Sequence, residues 1–250
     1  MNSILKESIR YMHIYLWVGF VLFLSGFTNG LSGFGVALLA IPLLAVLLDV
    51  KTVVPLAALA ALTTHIIVLV QLRRHFDWNK ILPLILSAIP GVAVGALFLK
   101  HLDRAIILYI LGILLIVYAV YSLFFRIPVR DLKKGWVYPF GFLAGVLGGA
   151  LSAPGPPAIV YTSMQAWSKD QIKVTLQGFF ILSGIIVIVF HILNGITTLY
   201  VLKLYGTSIP MIFIGTYIGS LFYGRIQEEG YRKLVLIILL LLGTFMIYKA

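Results

Sequence analysis

Cysteine is missing from the 250-residue chain, which excludes disulfides, thiolate nucleophiles and cysteine-ligated metals. Acidic residues are nearly as scarce: Glu7, Asp49, Asp77, Asp103, Asp131, Asp170, Glu228 and Glu229 complete the set. Each lies in a terminus or near the edge of an apolar run, so none stands where a mid-membrane proton relay or carboxylate-based Na⁺ site needs one. Nor do carboxylate pairs, nucleophile–base pairs or metal ligands converge at one depth, so neither an enzyme nor a cofactor is expected. Charged residues of both signs make up 11% of the chain, against about a quarter in soluble domains.

What fills the chain instead is apolar: 61% of residues are hydrophobic and the mean hydropathy is +1.07. Apolar runs between charges predict helical segments at 13–31, 36–48, 52–71, 81–99, 104–125, 136–151, 156–167, 174–193, 201–222 and 231–248. Most approach the 20 or so residues that cross roughly 30 Å of hydrocarbon. Residues 1–250 therefore read as one all-α polytopic integral membrane domain with the lipid bilayer as its partner, multi-pass in the plasma membrane. Lys6, Glu7 and Arg10 precede the first run without a small-residue cleavage site at signal-peptide spacing, so that segment is expected to remain. The formal charge of +11 comes from Lys and Arg between apolar runs, as loop and interface anchors, and nucleic acid is not an expected partner.

Two runs, 36–48 and 156–167, are too short to span, and each follows a Gly/Pro-rich break: Gly30-Leu31-Ser32-Gly33-Phe34-Gly35 and Ser152-Ala153-Pro154-Gly155-Pro156-Pro157. Leu31-Ser32 matches Leu151-Ser152, Gly35 matches Gly155, Ile89-Pro90 matches Ile209-Pro210, and Gly95 matches Gly215, every pair 120 residues apart. The expected architecture is two homologous halves, 13–125 and 136–248, joined by a basic linker 126–135. Each half holds about four helical elements, the first of them broken. Extra residues in the second half are expected in the loop carrying Glu228 and Glu229. Duplication with interrupted segments at matching positions is the arrangement of secondary transporters, whose site lies where the breaks meet. Unwound backbone in hydrocarbon must face protein, water or a ligand, because each unpaired N–H or C=O costs several kcal/mol. The competing explanation is that Gly and Pro only kink packed helices.

The residues at these positions resemble the TauE/SafE group, the sulfite exporter or toluene sulfonate uptake permease family. The resemblance rests on Leu31-Ser-Gly-Phe-Gly35 followed by Pro42, Asp77-Trp78 after a basic stretch, Ile89-Pro-Gly-Val-Ala-Val-Gly95, and Ser152-Ala-Pro-Gly-Pro-Pro157 with Tyr161 and Trp167. It extends over both halves, and departs where Gly35 is followed by Val36-Ala37 instead of further glycine. The resemblance implies a transporter or permease for a small anion such as sulfite, sulfoacetate or another sulfonate. A non-transporting membrane assembly subunit and an anion channel are the alternatives.

Half-helices starting after Gly35 and Gly155 direct their first N–H groups and positive dipole ends inward, where an anion can be held. Expected substrate-binding residues are Asn29, Ser32, Gly33, Gly35, Ser152, Gly155 and Gln177. The serines have packing, and Gln177 interhelical bonding, as competing roles. The Lys and Arg that fall within the apolar runs (Arg104, Lys203, Arg232 and Lys233) stand at or close to a run's start, so no basic side chain need be buried at the site. Of the histidines only His65 and His191 lie well inside apolar runs, and His65, beside Thr63 and Thr64, is the coupling candidate. A neutral, hydrogen-bonded histidine facing the bundle is the plainer reading of it. If each broken element returns to the side it entered, the Lys/Arg count is 12 on one side and 7 on the other. Positive charge then places the richer side in the cytoplasm, with both termini outside and the halves inverted.

Overall fold

Helices need no outside partner for their backbone, which is why an apolar chain in lipid adopts them. The computed structural model describes residues 2–72, 77–124, 132–223 and 228–250, and among them there is no strand. Among the described residues ten α-helices follow in order: α1 Asn2–Ser32, α2 Val36–Leu44, α3 Val50–Leu72, α4 Trp78–His101, α5 Arg104–Phe124, α6 Val137–Leu151, α7 Gly155–Met164, α8 Lys169–Leu193, α9 Leu199–Leu221 and α10 Glu228–Lys249. Among the described residues, six stretches are long and apolar enough to cross a membrane: 12–32, 50–70, 78–101, 104–124, 170–193 and 199–221. Residues 126–131 of the basic linker lie outside the described residues.

Several helices start earlier than their apolar runs. The Asp77 side chain accepts from Asn79 N at 3.0 Å and opens α4, while Ser168 and Gln171 form a reciprocal capping box that opens α8. Caps are polar because they must satisfy orphan N–H groups, so a reading by apolar runs loses the first turn. At α8 this brings Lys173 inside a helix, and there its side chain is buried. Glu228 and Glu229, expected in a loop, belong to the first turn of α10.

Packing pairs distant parts of the chain. α4 lies along α6 and α1 along α9, in contacts close enough that a β-carbon at Gly95 would strike Val146 O and one at Gly219 would strike Phe27 O. Small residues allow such approach where no hydrophobic effect draws helices together. α5 packs on α10, and α3 meets α8 at the centre, with α3 also against α9 and α8 against α4. Outward faces, such as Leu82, Leu86, Leu97 and Phe98 on α4, are exposed and apolar, as lipid contact requires.

Polar and cation–ring contacts distinguish two ends of the molecule. At one, Lys249 Nζ donates to Ala45 O at 2.6 Å and Val46 O at 2.8 Å, Arg104 pairs with Asp49 at 3.7 Å, and Lys51 Nζ donates to Lys100 O at 3.1 Å. At the other, Lys80 Nζ stands 4.8 Å from the Trp167 ring centre and Lys173 Nζ 3.0 Å from that of Tyr223. The end of α2 thus belongs to one end of the molecule, and the residues following α7 to the other.

Candidate functional site

The site grows out of the two chain interruptions. At the first, Gly33 and Gly35 take φ values of +82° and +101°, the left-handed region that side-chain-bearing residues avoid. α2 starts there, and its first intrahelical bond runs from Leu39 N to Gly35 O at 3.1 Å. The N–H groups of Val36, Ala37 and Leu38 therefore precede the helical ladder. At the second, Ser152 turns the chain with φ +49°, and α7 opens with Gly155, Pro156 and Pro157. Two prolines carry no N–H, so only Gly155 contributes a donor in that first turn. The interruptions match in sequence, yet the N–H donors left outside the helical ladder lie mainly at α2.

Phe34 to Leu38 from the first break and Ser152 to Gly155 from the second border a single small cavity, with His65 and Phe180 on its wall. Its volume is about 30 Å³, room for little more than a water molecule. A second cavity of about 290 Å³, close to the lower end of the size range of small-molecule sites, lies on the other face of the first break. Thr28, Ser32, Gly33, Ser122, Ser163, Lys173, Tyr223 and Tyr231 line it, among mostly aliphatic neighbours. Phe34, Gly35 and Leu38 border both cavities and form the partition between them.

Gln177 joins the pieces. Fully buried on α8, it donates from Nε2 to Gly33 O, and its Oε1 lies 2.8 Å from His65 Nδ1. Because Gly33 O can only accept, the amide orientation is set, and His65 Nδ1 must be the donor to Oε1. His65 Nδ1 thereby carries a proton, and the ring stands 4.8 Å from that of Phe180. Lys173, one turn earlier on α8, lays its stem across the same glycine: a β-carbon at Gly33 would come within 3.0 Å of Lys173 Cε.

Gly33, Gly35, Ser152, Gly155, Gln177 and His65 are thus brought together around the breaks. Ser32 lines the wide cavity, but its hydroxyl faces two carbonyl acceptors, Thr28 O at 2.7 Å and Phe34 O at 2.9 Å. Ser152 donates to Val54 O at 2.9 Å. Both hydroxyl protons are committed to backbone, so the serines hold the breaks in shape. Asn29 lines neither cavity; it is fully buried, and among the described residues neither of its amide atoms has a hydrogen-bond partner. His191 Nε2 donates to Gly149 O at 2.8 Å, away from both cavities.

Sequence reading missed Lys173, whose available signal was the Ser168-x-x-Gln171 capping box: it begins the helix before the lysine. Tyr223 and Tyr231 join the site only through the folding of α9 and α10 beside the first break, which no local pattern announces.

Re-entrant-length helices meeting among longer membrane-crossing ones, with polar backbone turned to an internal cavity, define a multi-pass membrane protein of transporter type. The sulfite exporter TauE/SafE family matches residues 18–246, nearly the whole chain, and the chain belongs to that family. No curated protein and no solved structure matches it.

Proposed function

We propose that this chain is a plasma-membrane secondary transporter or permease for a small sulfur-containing anion (sulfite, sulfoacetate or another sulfonate), which passes the broken helices near the midplane. The observation that carries this reading is the shared cavity: both breaks border it, and the ladder-free N–H groups of Val36, Ala37 and Leu38 lie on its wall. Gly35 and Gly155 supply the close backbone approach, and Gln177 and Gly33 hold the first break against α3 and α8. Asn29 stands behind the break as a buried polar residue without a hydrogen-bond partner among the described residues.

The packing supports two inverted halves, 13–125 and 136–248. Under the 120-residue offset α1 corresponds to α6 and α4 to α9, and α1 lies on α9 as α6 lies on α4. In the same way α3 meets α9 as α8 meets α4. The two ends described above support each broken element returning to the side it entered. His65 is bonded through Nδ1 to Gln177, which fits a bundle histidine better than a proton carrier. No coupling ion is required, since an inside-negative potential already contributes about 2.3 kcal/mol per charge per 100 mV to anion efflux.

Counterflow in proteoliposomes loaded with sulfite, sulfoacetate or sulfate tests this function. Saturable exchange of at least one sulfur oxyanion is expected from the wild-type protein, and loss of it from Gly35→Leu. Absence of saturable exchange for all of these anions would remove the proposal.

A further inference from the structure

The two halves are not packed alike around their breaks. α10 packs on α2, and where α2 finishes Lys249 Nζ donates to Ala45 O at 2.6 Å and Val46 O at 2.8 Å. In the other half the 120-residue offset puts α7 in the place of α2, and α5, the last helix of its half, in that of α10. Among the described residues α5 and α7 make no comparable contact. Tyr118 and Ser122 of α5 and Ile159, Val160 and Ser163 of α7 line the wide cavity instead. The position matching Ala45 is Gln165, whose buried Nε2 has no hydrogen-bond partner among the described residues. One broken element is thus closed at its end, while its counterpart keeps an unmet donor. Inverted halves held in unequal arrangements point to a second state with the roles exchanged.

We propose that α5 and α10 rock as one body, closing the end of α2 in the state seen here and the end of α7 in the other, so that the wide cavity collapses as α10 leaves α2. This rests on the transport reading and the inverted halves above. The pair is built to move together: a β-carbon at Gly112 would lie 2.7 Å from Gly243 O, and one at Gly243 2.9 Å from Gly112 O. Helices in reciprocal backbone contact separate less readily than they tilt. They also run in opposite directions, since α5 begins where α10 finishes. There Arg104, the first residue of α5, pairs with Asp49 at 3.7 Å, just beyond α2, beside the Lys249 bonds. Two ties therefore hold the same end of the pair. Tilting about its middle lifts that end off α2 and carries the end with Tyr118 and Ser122 towards α7.

Because the chain has no cysteine, cross-linking reads the two states directly. Ser122→Cys with Ser163→Cys puts one thiol on α5 and one on α7 in the wide cavity. In the full-length protein, in detergent with a copper–phenanthroline oxidant, disulfide formation between them reports the state with α5 on α7. Adding Lys249→Met is expected to speed it roughly tenfold, as loss of charged hydrogen bonds does. Adding Arg104→Gln should speed it about twofold, as loss of an exposed ion pair does. Lys249→Arg keeps the charge and the donors and should stay within about threefold of the starting rate. Arg104 is exposed, so its variant decides the matter if Lys249→Met does not fold. Unchanged cross-linking once these ties are removed overturns the rocking. Saturable exchange that survives complete cross-linking overturns it too, because a closed α7 end would then not stop the cycle. Tie-dependent cross-linking in a protein that exchanges no sulfur oxyanion would keep the rocking and remove the transport reading.

Discussion

Gly35 and Gly155 occupy matching places in the sequence but not in conformational space. A β-carbon at Gly35 meets only Thr28 Cγ2 at 3.8 Å, so its glycine is required by φ and not by room. Gly155→Ala would make ordinary contacts at 3.6 Å and 3.9 Å with no positive φ to strain. Gly35→Ala should therefore cost about 1–2 kcal/mol and Gly155→Ala close to nothing, as read from melting temperatures in one detergent. Gln177→Leu strands Gly33 O and His65 Nδ1 together; a destabilisation of about 1–3 kcal/mol is expected, with loss of transport. Equal melting of Gln177→Leu and wild type would mean the bridge carries no energy. Ser152→Ala should lose about 1 kcal/mol of stability from the bond to Val54 O and leave anion affinity unchanged. The residue types at the breaks were legible in the sequence. Their division of labour was not, because a hydroxyl's partner and a glycine's φ depend on chain that lies far away.

Among the elements, the pairs α4–α6 and α1–α9 are held by backbone approach instead of interlocking side chains. A bulky residue at Gly95 or Gly219 meets a carbonyl oxygen of the neighbouring helix, which cannot swing aside as a side-chain tip can. Gly219→Val should cost more than about 4 kcal/mol and appear as loss of a monodisperse peak in size-exclusion chromatography. An unchanged profile would show that the helices separate at little cost. Helix α2, at nine residues, is too short to hold itself, and Lys249 closes its end by donating to two terminal carbonyls. The sequence revealed α2 as a short apolar run, but only α10, folding back beside it, accounts for how it ends.

For the whole molecule, the chain's lack of cysteine makes sidedness directly measurable. Single replacements at exposed Ser168 and Asp103 lie at opposite ends. An impermeant maleimide added to intact cells should label Asp103→Cys, and Ser168→Cys only after permeabilisation, because the Lys/Arg-richer end belongs in the cytoplasm. The reverse pattern would invert the proposed orientation. Transport of a monoanion without a coupling ion moves net charge. A potassium diffusion potential of 100 mV in proteoliposomes should therefore bias its distribution by about 2.3 kcal/mol, close to fiftyfold. Accumulation that ignores the potential and follows a pH gradient would instead make His65 a proton carrier.

By itself the sequence determined that this protein lives in a bilayer as helices, because 61% apolar residues in long runs have no other way to satisfy their backbone in hydrocarbon. It also determined where the chain is interrupted, since Gly and Pro act on the backbone next to them. The family was legible for the same reason: its motifs are those local interruptions. Only the tertiary structure decided that the breaks border one small cavity while a larger cavity lies on the far side of Phe34. Likewise, it decided that a lysine ahead of an apolar run is a buried cation against Tyr223. Cavities and buried charges are made by residues from several helices meeting, and the distances between those helices are written in no single stretch of chain.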